Sequence, residues 1–482
     1  MPLLCDRDGG VASLVVPRGW SALLPLSVHS SPPRKLALWS LSWPLFAEQG
    51  LRLSIGTVDT LMVSHVSDHA VAGLGVAWQV IIFSLITFNF IGIGSSVVIT
   101  HHLGAGDRAG ADRISRAAVG VNTWLGLGLS LLIALNSRSL LALMQLPAEL
   151  FEYAVPFLTL VGGSLVLDAQ SMALSATLRA HGHTRPVMIV TGAQSALNAV
   201  GNALLLFGLF GAPKLGITGV ALSAIVSRAL GLIVLHWAVL AQTNVRIRLL
   251  DYVRLPLPEV RRMLHIGLPA AGENVCYWLA LMTVTTFNAR LGSANLAAAT
   301  YAMQIMSWVI IFADSIGLGT EIMIGHLIGD GDLERVYHEL LRSLRLGFWI
   351  ACGASVLMAL VAPLVAGAFS QDAVTVAGII SVLRLSMVLE PGRVFNIVVI
   401  NALRATGDAR FPLLIGIASM WGLWVPLAWF LGVVCQLGVT GVWISMCCDE
   451  WLRALLVYRR WKRRSWVAHA QQSRQALTPG TA

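Results

Sequence analysis

Twelve apolar runs, separated by short polar breaks, fill the chain from Leu36 to residue 458. Each is close to the ~20 residues a helix needs to cross a ~30 Å hydrocarbon core. The pattern predicts spans at about 36–64, 71–100, 117–136, 152–178, 187–210 and 216–241. After a polar connector it predicts six more, at about 263–291, 296–326, 341–363, 374–403, 411–434 and 437–458. The expected fold is an all-α integral membrane protein of twelve transmembrane helices.

The pattern also repeats. Offsetting the sequence by 225 positions, residue 44 against residue 269, pairs Pro44 with Pro269, Glu48 with Glu273, Gln79 with Gln304 and Gly92 with Gly317. His101 then meets His326, Gly104 meets Gly329 and Asp107 meets Asp332, with no gap. Six spans per copy is an even number, so both copies enter the membrane from the same side. Such parallel repeats are related by an axis along the membrane normal, with a substrate cleft between two six-helix lobes. The expected domains are a tail over 1–35, a first lobe over 36–242, a linker over 243–262, a second lobe over 263–458 and a basic tail over 459–482.

Composition excludes a soluble protein: 56% of residues are hydrophobic, 12% are charged and the mean hydropathy is +0.75. The net charge of +9 sits in short loops and not on a polar domain, which argues against nucleic acid. Arg34, Lys35, Arg108, Arg113, Arg116, Arg179, Arg185, Arg335, Arg342, Arg345, Arg404 and Arg410 share one side with the basic C-terminal tail. The other side has Arg138, Lys214 and Arg290, so both termini are expected in the cytoplasm of an inner-membrane protein. Cys5, Cys276, Cys352, Cys435, Cys447 and Cys448 form no CxxC and read as packing residues. Pro17, Pro25, Pro32 and Pro33 mark the first 34 residues as a disordered tail or an over-extended start of the reading frame.

Charges inside spans carry the candidate chemistry, since each costs at least ~2.5–3.5 kcal/mol and needs a partner, a wet cavity or a task. Asp59 lies fifteen residues beyond Pro44, or ~22 Å of helix, in the outer half of the first lobe. There a proton and an organic cation can compete for one carboxylate; the plainer reading is a hydrogen bond to Thr57 or Thr60. Asp168 has no evident local partner and is a second coupling candidate. Glu390, before Pro391 and Gly392 at an expected break in the tenth span, is either a third or a salt bridge to Arg393. Glu48 and Arg52, four apart, form a local pair. Glu273 lacks such an arginine; beside Tyr277 and Trp278 it either binds a cationic or aromatic compound or pairs with Arg384 or Arg393. Asn198 and Asn202 are neutral donors or ligands on one helix face, and Gln79 and Gln304 are repeat-related cavity candidates. Asp314 and Glu321 read as a packed polar face before a proton relay. Trp39, Trp43, Trp78, Met303, Met306, Trp308 and Met387 supply a candidate drug-binding wall. His101, His102 and His326 are expected as solvated caps at loop edges.

These residues resemble the multidrug and toxic compound extrusion (MATE) transporters, in their NorM-type and DinF-type branches. The first span, WPLFAEQGLRLSIGTVDTLMVSHVS, is similar to that family's opening helix. HHLGAGD and HLIGDGD resemble its loops after spans two and eight, SALNAVGN its fifth-span motif, and LRAHG and LRATGD the ends of spans four and ten. The resemblance covers about residues 36 to 458 and implies export of cationic, amphipathic compounds in exchange for H⁺ or Na⁺. It also implies that Asp59 is the functional first-span acid, with Asn198 and Asn202 as the fifth-span polar pair and a possible Na⁺ position among the three. The tenth-span position eleven residues before Arg404, where NorM-type members place an acid, is Arg393, and the usual seventh-span carboxylate position is Tyr277. Protons are therefore favoured over Na⁺. The expectation is a monomeric, non-enzymatic antiporter with no cofactor beyond its coupling ion, whose partners are organic cations and membrane lipids. A lipid-linked saccharide flippase and a membrane-embedded transferase are the alternatives; no HExxH or G-x-S-x-G supports the latter.

Overall fold

The computed structural model describes residues 36–243 and 245–477, so the expectation for residues 1–35 lies outside the described residues. All regular elements among them are helical. The first half holds α1 (Leu38–Ser64), α2 (Asp68–Gly104), α3 (Arg108–Leu143), α4 (Phe151–Gly163), α5 (Leu165–Ala180), α6 (Thr184–Phe207) and α7 (Ile217–Thr243). The second holds α8 (Leu257–Arg290), α9 (Ser293–Asp330), α10 (Leu333–Phe369), α11 (Ala373–Ala405), α12 (Arg410–Ser419), α13 (Val425–Trp429) and α14 (Gly438–Lys462). The basic C-terminal tail adds α15 (Trp466–Gln475), whose Trp466 is buried and stacks on Trp461.

Eight runs are long and apolar enough to cross a membrane, among them Arg410–Val434, which runs from α12 through a π-helical turn at Met420–Trp424 into α13 and ends in a second at Phe430–Val434. Helices α4 and α5, bent by 44°, make a ninth span. Helices α1, α8 and α14, which bury Glu48, Glu273, Asp449 and Glu450, complete the twelve. The protein is thus an all-α membrane protein of two six-span lobes. Several helices outrun their predicted spans. The 36 residues of α3 measure about 54 Å at ~1.5 Å per residue, well beyond the hydrocarbon core. Their polar ends are held by caps: Asp107 accepts from the Gly110 N–H at 2.8 Å, and its repeat mate Asp332 from the Arg335 N–H at 3.0 Å.

The break expected near Glu390 is absent. Helix α11 runs unbroken through Pro391, with Trp451 Nε1 donating to the Val388 carbonyl at 2.8 Å beside the disturbed turn.

Each lobe has its own apolar cores, with Phe88, Leu141 and Leu158 in the first and Ile379, Trp424 and Trp443 in the second. Between the lobes, glycines let backbones touch. A Cβ on Gly94 would lie 2.1 Å from the Met263 carbonyl, and one on Gly267 2.1 Å from that of Phe90. Gly325 meets Thr100 and Gly329 meets Gly104, each its own repeat mate, so the pseudo-twofold axis passes between them. These contacts lie toward the arginine-rich end of α1, α2, α8 and α9, where the lobes are closed against each other.

Candidate functional site

Helix α1 carries Asp59 to α6, where Asn198 and Asn202 are four residues apart and share a face. Asn198 Nδ2 donates to Asp59 Oδ1 at 2.8 Å and Asn202 Nδ2 to the same oxygen at 2.6 Å. From α7, Ser223 Oγ donates to the Asn198 carbonyl at 2.9 Å and fixes that turn. Both asparagines are buried while Asp59 is half-buried. Asp59 Oδ2 has no hydrogen-bond partner among the described residues. The local bonds that the plainer reading required are not made: Thr57 Oγ1 donates to the Leu53 carbonyl and Thr60 Oγ1 to that of Gly56. Two amide donors on one oxygen suit a carboxylate, whose charge they stabilise.

The same geometry bears on Na⁺. Both amide N–H groups are turned to Asp59, and the oxygens left there without a hydrogen-bond partner among the described residues are Asp59 Oδ2 and the buried Asn202 Oδ1. No cluster of three or more His, Cys, Asp or Glu side chains fit to hold a metal occurs among the described residues.

Asp168, expected without a partner, has one. Arg228 Nη1 on α7 donates to its Oδ2 at 2.8 Å, and the same arginine acts electrostatically on Asp59. The readable signal was an arginine in the middle of an apolar run, which calls for an acid on a neighbouring helix.

The second lobe buries a larger network. Arg393 bonds Glu390 at 2.7 Å and lies 3.7 Å from Glu450. Arg453 bonds Asp449 at 2.8 Å and Glu450 at 3.0 Å, while Asn396 donates to Glu450 and Ser419 to Asp449. Glu390 is therefore a salt-bridged residue. Asp449, Glu450 and Arg453, charges inside the last predicted span, were not singled out by the sequence reading. Tyr277 stacks on Trp424 with ring centroids 5.7 Å apart.

Glu273 pairs with neither Arg384 nor Arg393. Its partner is Arg404, at 2.7 Å, because α11 brings its last turn to the proline turn of α8. The repeat mates do likewise: Glu48 lies 3.6 Å from Arg179, as well as 3.2 Å from Arg52. Asp314 and Glu321 make no hydrogen bond or ion pair among the described residues. Gln79 and Gln304 are exposed and join neither cluster. Of the candidate wall, Met306 is core, while Trp39, Trp43, Trp78, Trp308 and Met387 are exposed.

The histidines are not solvated caps. His101 and His102 are each only 2% exposed. His102 Nδ1 bonds Asp107 at 2.9 Å. Partial burial pushes the Asp107 carboxyl up, but the Gly110 N–H, His102 and Arg113 outweigh it and leave the group below the ordinary carboxylate range.

Comparison with known proteins agrees with this architecture. The sequence pattern of the MatE family matches residues 44–204 and 269–430, two segments that begin one repeat offset apart. An uncharacterized transporter of Bacillus subtilis (strain 168), YisQ, is 37% identical over 434 residues, covering 90% of this chain and 95% of that one. A probable multidrug resistance protein NorM of Thermotoga maritima is 25% identical over 451 residues, covering 92% and 96%. Among solved structures, an outward-facing multidrug resistance MATE family transporter superposes with a TM-score of 0.82 at 21% identity, covering 92% of this chain and 97% of that one.

Proposed function

This chain belongs to the MatE family, and on that premise we propose that it is a secondary antiporter exporting cationic or amphipathic small molecules in exchange for protons. The observation that carries the reading is the Asp59 cluster: one carboxylate oxygen is held by Asn198 and Asn202, and the other has no partner. A proton or a cationic substrate can take that second oxygen, but not both. Protonation removes the charge that holds the cation, and deprotonation restores it. The asparagines keep Asp59 in place in either state, because their N–H groups serve a neutral carbonyl oxygen as well as a carboxylate.

The lobes at 36–242 and 263–458 move against each other in this reading, with the arginine-rich end in the cytoplasm, as the positive-inside rule requires of an inner-membrane protein. The substrate loads from that end and leaves on the far side when a proton arrives at Asp59. The cation is recognised by charge and by apolar and aromatic contact, so the substrates are a class and not one compound. No covalent step is involved, and protons are the coupling ion in this reading because one carboxylate oxygen at Asp59 suffices for a proton, while the second lobe carries Arg393 where a cation site would need an acid. Drug efflux from cells carrying Asp59→Asn tests the reading directly.

A further inference from the structure

Two pairs of motifs that proton exchange at Asp59 leaves unused meet at the arginine-rich end. Helices α5 and α11, in opposite lobes, stop in the same way. Gly182 (φ +80°) and Gly407 (φ +89°) turn the chain, and their N–H groups reach the carbonyls of Arg179 and Arg404 at 2.9 and 3.0 Å. The next N–H groups, of His183 and Asp408, return to Leu178 and Leu403 at 2.8 and 3.0 Å. This closure uses the carbonyls of the two residues before each terminal alanine, Leu178 and Arg179 or Leu403 and Arg404, and leaves those of Ala180 and Ala405, the last helical residues, without a backbone donor.

A histidine from the other lobe takes each one. His326 Nε2 bonds the Ala180 carbonyl at 2.8 Å, and His101 Nε2 bonds the Ala405 carbonyl at 2.7 Å. A carbonyl only accepts, so Nε2 carries the hydrogen in both. His101 and His326 are repeat mates, and so are Ala180 and Ala405, 225 positions apart in each case. The two bonds are thus copies related by the pseudo-twofold axis. On that axis, between them, Gly104 and Gly329 touch: a Cβ on Gly104 would lie 2.0 Å from the His326 carbonyl, and one on Gly329 2.1 Å from that of His101. The donor stretches, His101–Gly104 and His326–Gly329, and the acceptor stretches, Leu178–Gly182 and Leu403–Gly407, therefore form one contact made twice.

We propose that His101 and His326 are positioning residues of the transport cycle, a reciprocal pair of helix caps supplied across the lobe interface that holds the cytoplasmic gate shut. The proposal rests on the two-lobe antiporter reading. Its physics suits a gate. When the lobes part, both carbonyls and both imidazoles regain water, so each bond contributes a modest net amount to closure. Two such bonds bias the equilibrium without locking it. Because each lobe completes the helix end of the other, neither can leave alone, and the two bonds form and break together.

The test reads the gate and not transport. In a variant with Cys5, Cys276, Cys352, Cys435, Cys447 and Cys448 replaced, Thr100→Cys places a thiol on the axis, where Thr100 is 1% exposed. Its labelling by a membrane-impermeant maleimide is followed on the cytoplasmic face of inverted membrane vesicles, with no substrate or gradient. With both histidines present the thiol labels slowly. His101→Ala or His326→Ala is expected to speed labelling about fivefold, and the double variant roughly thirtyfold. His101→Gln with His326→Gln, whose amides can donate to the same carbonyls, is expected to restore slow labelling; these variants also serve if the alanine forms fail to fold. Equal rates in all folded variants, or glutamine forms that label as fast as alanine forms, would overturn the proposal. Since no efflux is measured, failure of the drug-export reading and failure of the latch are separate results.

Discussion

Asp168 and Arg393 stand at equivalent positions of the two repeats and carry opposite charges. In the first lobe Asp168 meets Arg228 at 2.8 Å. In the second, the mate of Arg228 is Arg453, so the substitution of Arg393 for an acid sets two arginines in one buried place. Glu390, Asp449 and Glu450, whose first-lobe mates Leu165, Ala224 and Ile225 are apolar, offset that charge. At these equivalent positions the first lobe thus keeps one acid–arginine pair, while the second joins two arginines and three acids in one buried network.

Arg228→Ala leaves the Asp168 carboxylate without its ion-pair partner. Loss of a buried partner typically costs ~3–5 kcal/mol; at 17% and 19% exposure of the two side chains, the low end of that range is expected. Thermal unfolding in detergent checks this. The double variant Asp168→Asn/Arg228→Gln should lose less than Arg228→Ala alone, because no charge is stranded.

The mated pairs Glu48–Arg179 and Glu273–Arg404 should respond unequally. Glu273→Gln strands Arg404, 9% exposed, whereas Glu48→Gln strands Arg179, 21% exposed and with more water at hand. A loss near ~3 kcal/mol is expected for Glu273→Gln and about 1 kcal/mol for Glu48→Gln, read from the same unfolding curves.

Asp107 links stability to pH. Its carboxyl is held below the ordinary value of 3.8 by the Gly110 N–H, His102 and Arg113 against the upward push of partial burial. A depressed folded-state value stabilises fully above the unfolded value and is lost as the pH falls through the folded one. Asp107→Ala is therefore expected to lower stability by about 1 kcal/mol at pH 7. The gap between variant and wild type should close below about pH 4.

Gly104→Ala tests the close approach of the lobes. Its Cβ would lie 2.0 Å from a backbone oxygen, which cannot move aside as a side-chain tip can. Efflux should fall at least tenfold, about the effect of ~1.4 kcal/mol against closure, at unchanged membrane abundance. Gly56→Ala, with nothing within 4 Å of the new methyl, should be silent.

The repeat and the twelve spans were legible because they depend on spacing alone, whereas the meeting of Asp59 with Asn198 and Asn202, on helices 139 and 143 residues apart in sequence, was implied only by the resemblance to MATE transporters. A 225-residue offset and a four-residue step on one helix need no knowledge of neighbours. Partners contributed by other helices were not legible. Arg228 lies 60 residues from Asp168, Arg404 lies 131 from Glu273, and Ala405 lies 304 from His101. Which faces meet at such distances depends on helix rotation, which a lone apolar pattern leaves undetermined. The histidines were misread for a related reason. The hydrophobic pattern ends each helix where the hydrocarbon ends, whereas α2 and α9 continue beyond it, so His101 and His102 are buried and His326 is partly buried.

The most direct test of the account is ethidium efflux from energised cells carrying wild type or Asp59→Asn at matched abundance, with a protonophore added or Na⁺ omitted. Efflux by wild type is expected to collapse with the protonophore, to persist without Na⁺ and to fall at least tenfold in Asp59→Asn. Efflux that survives the protonophore and stops when Na⁺ is removed, or that is undiminished in Asp59→Asn, would contradict proton exchange at the Asp59 carboxylate.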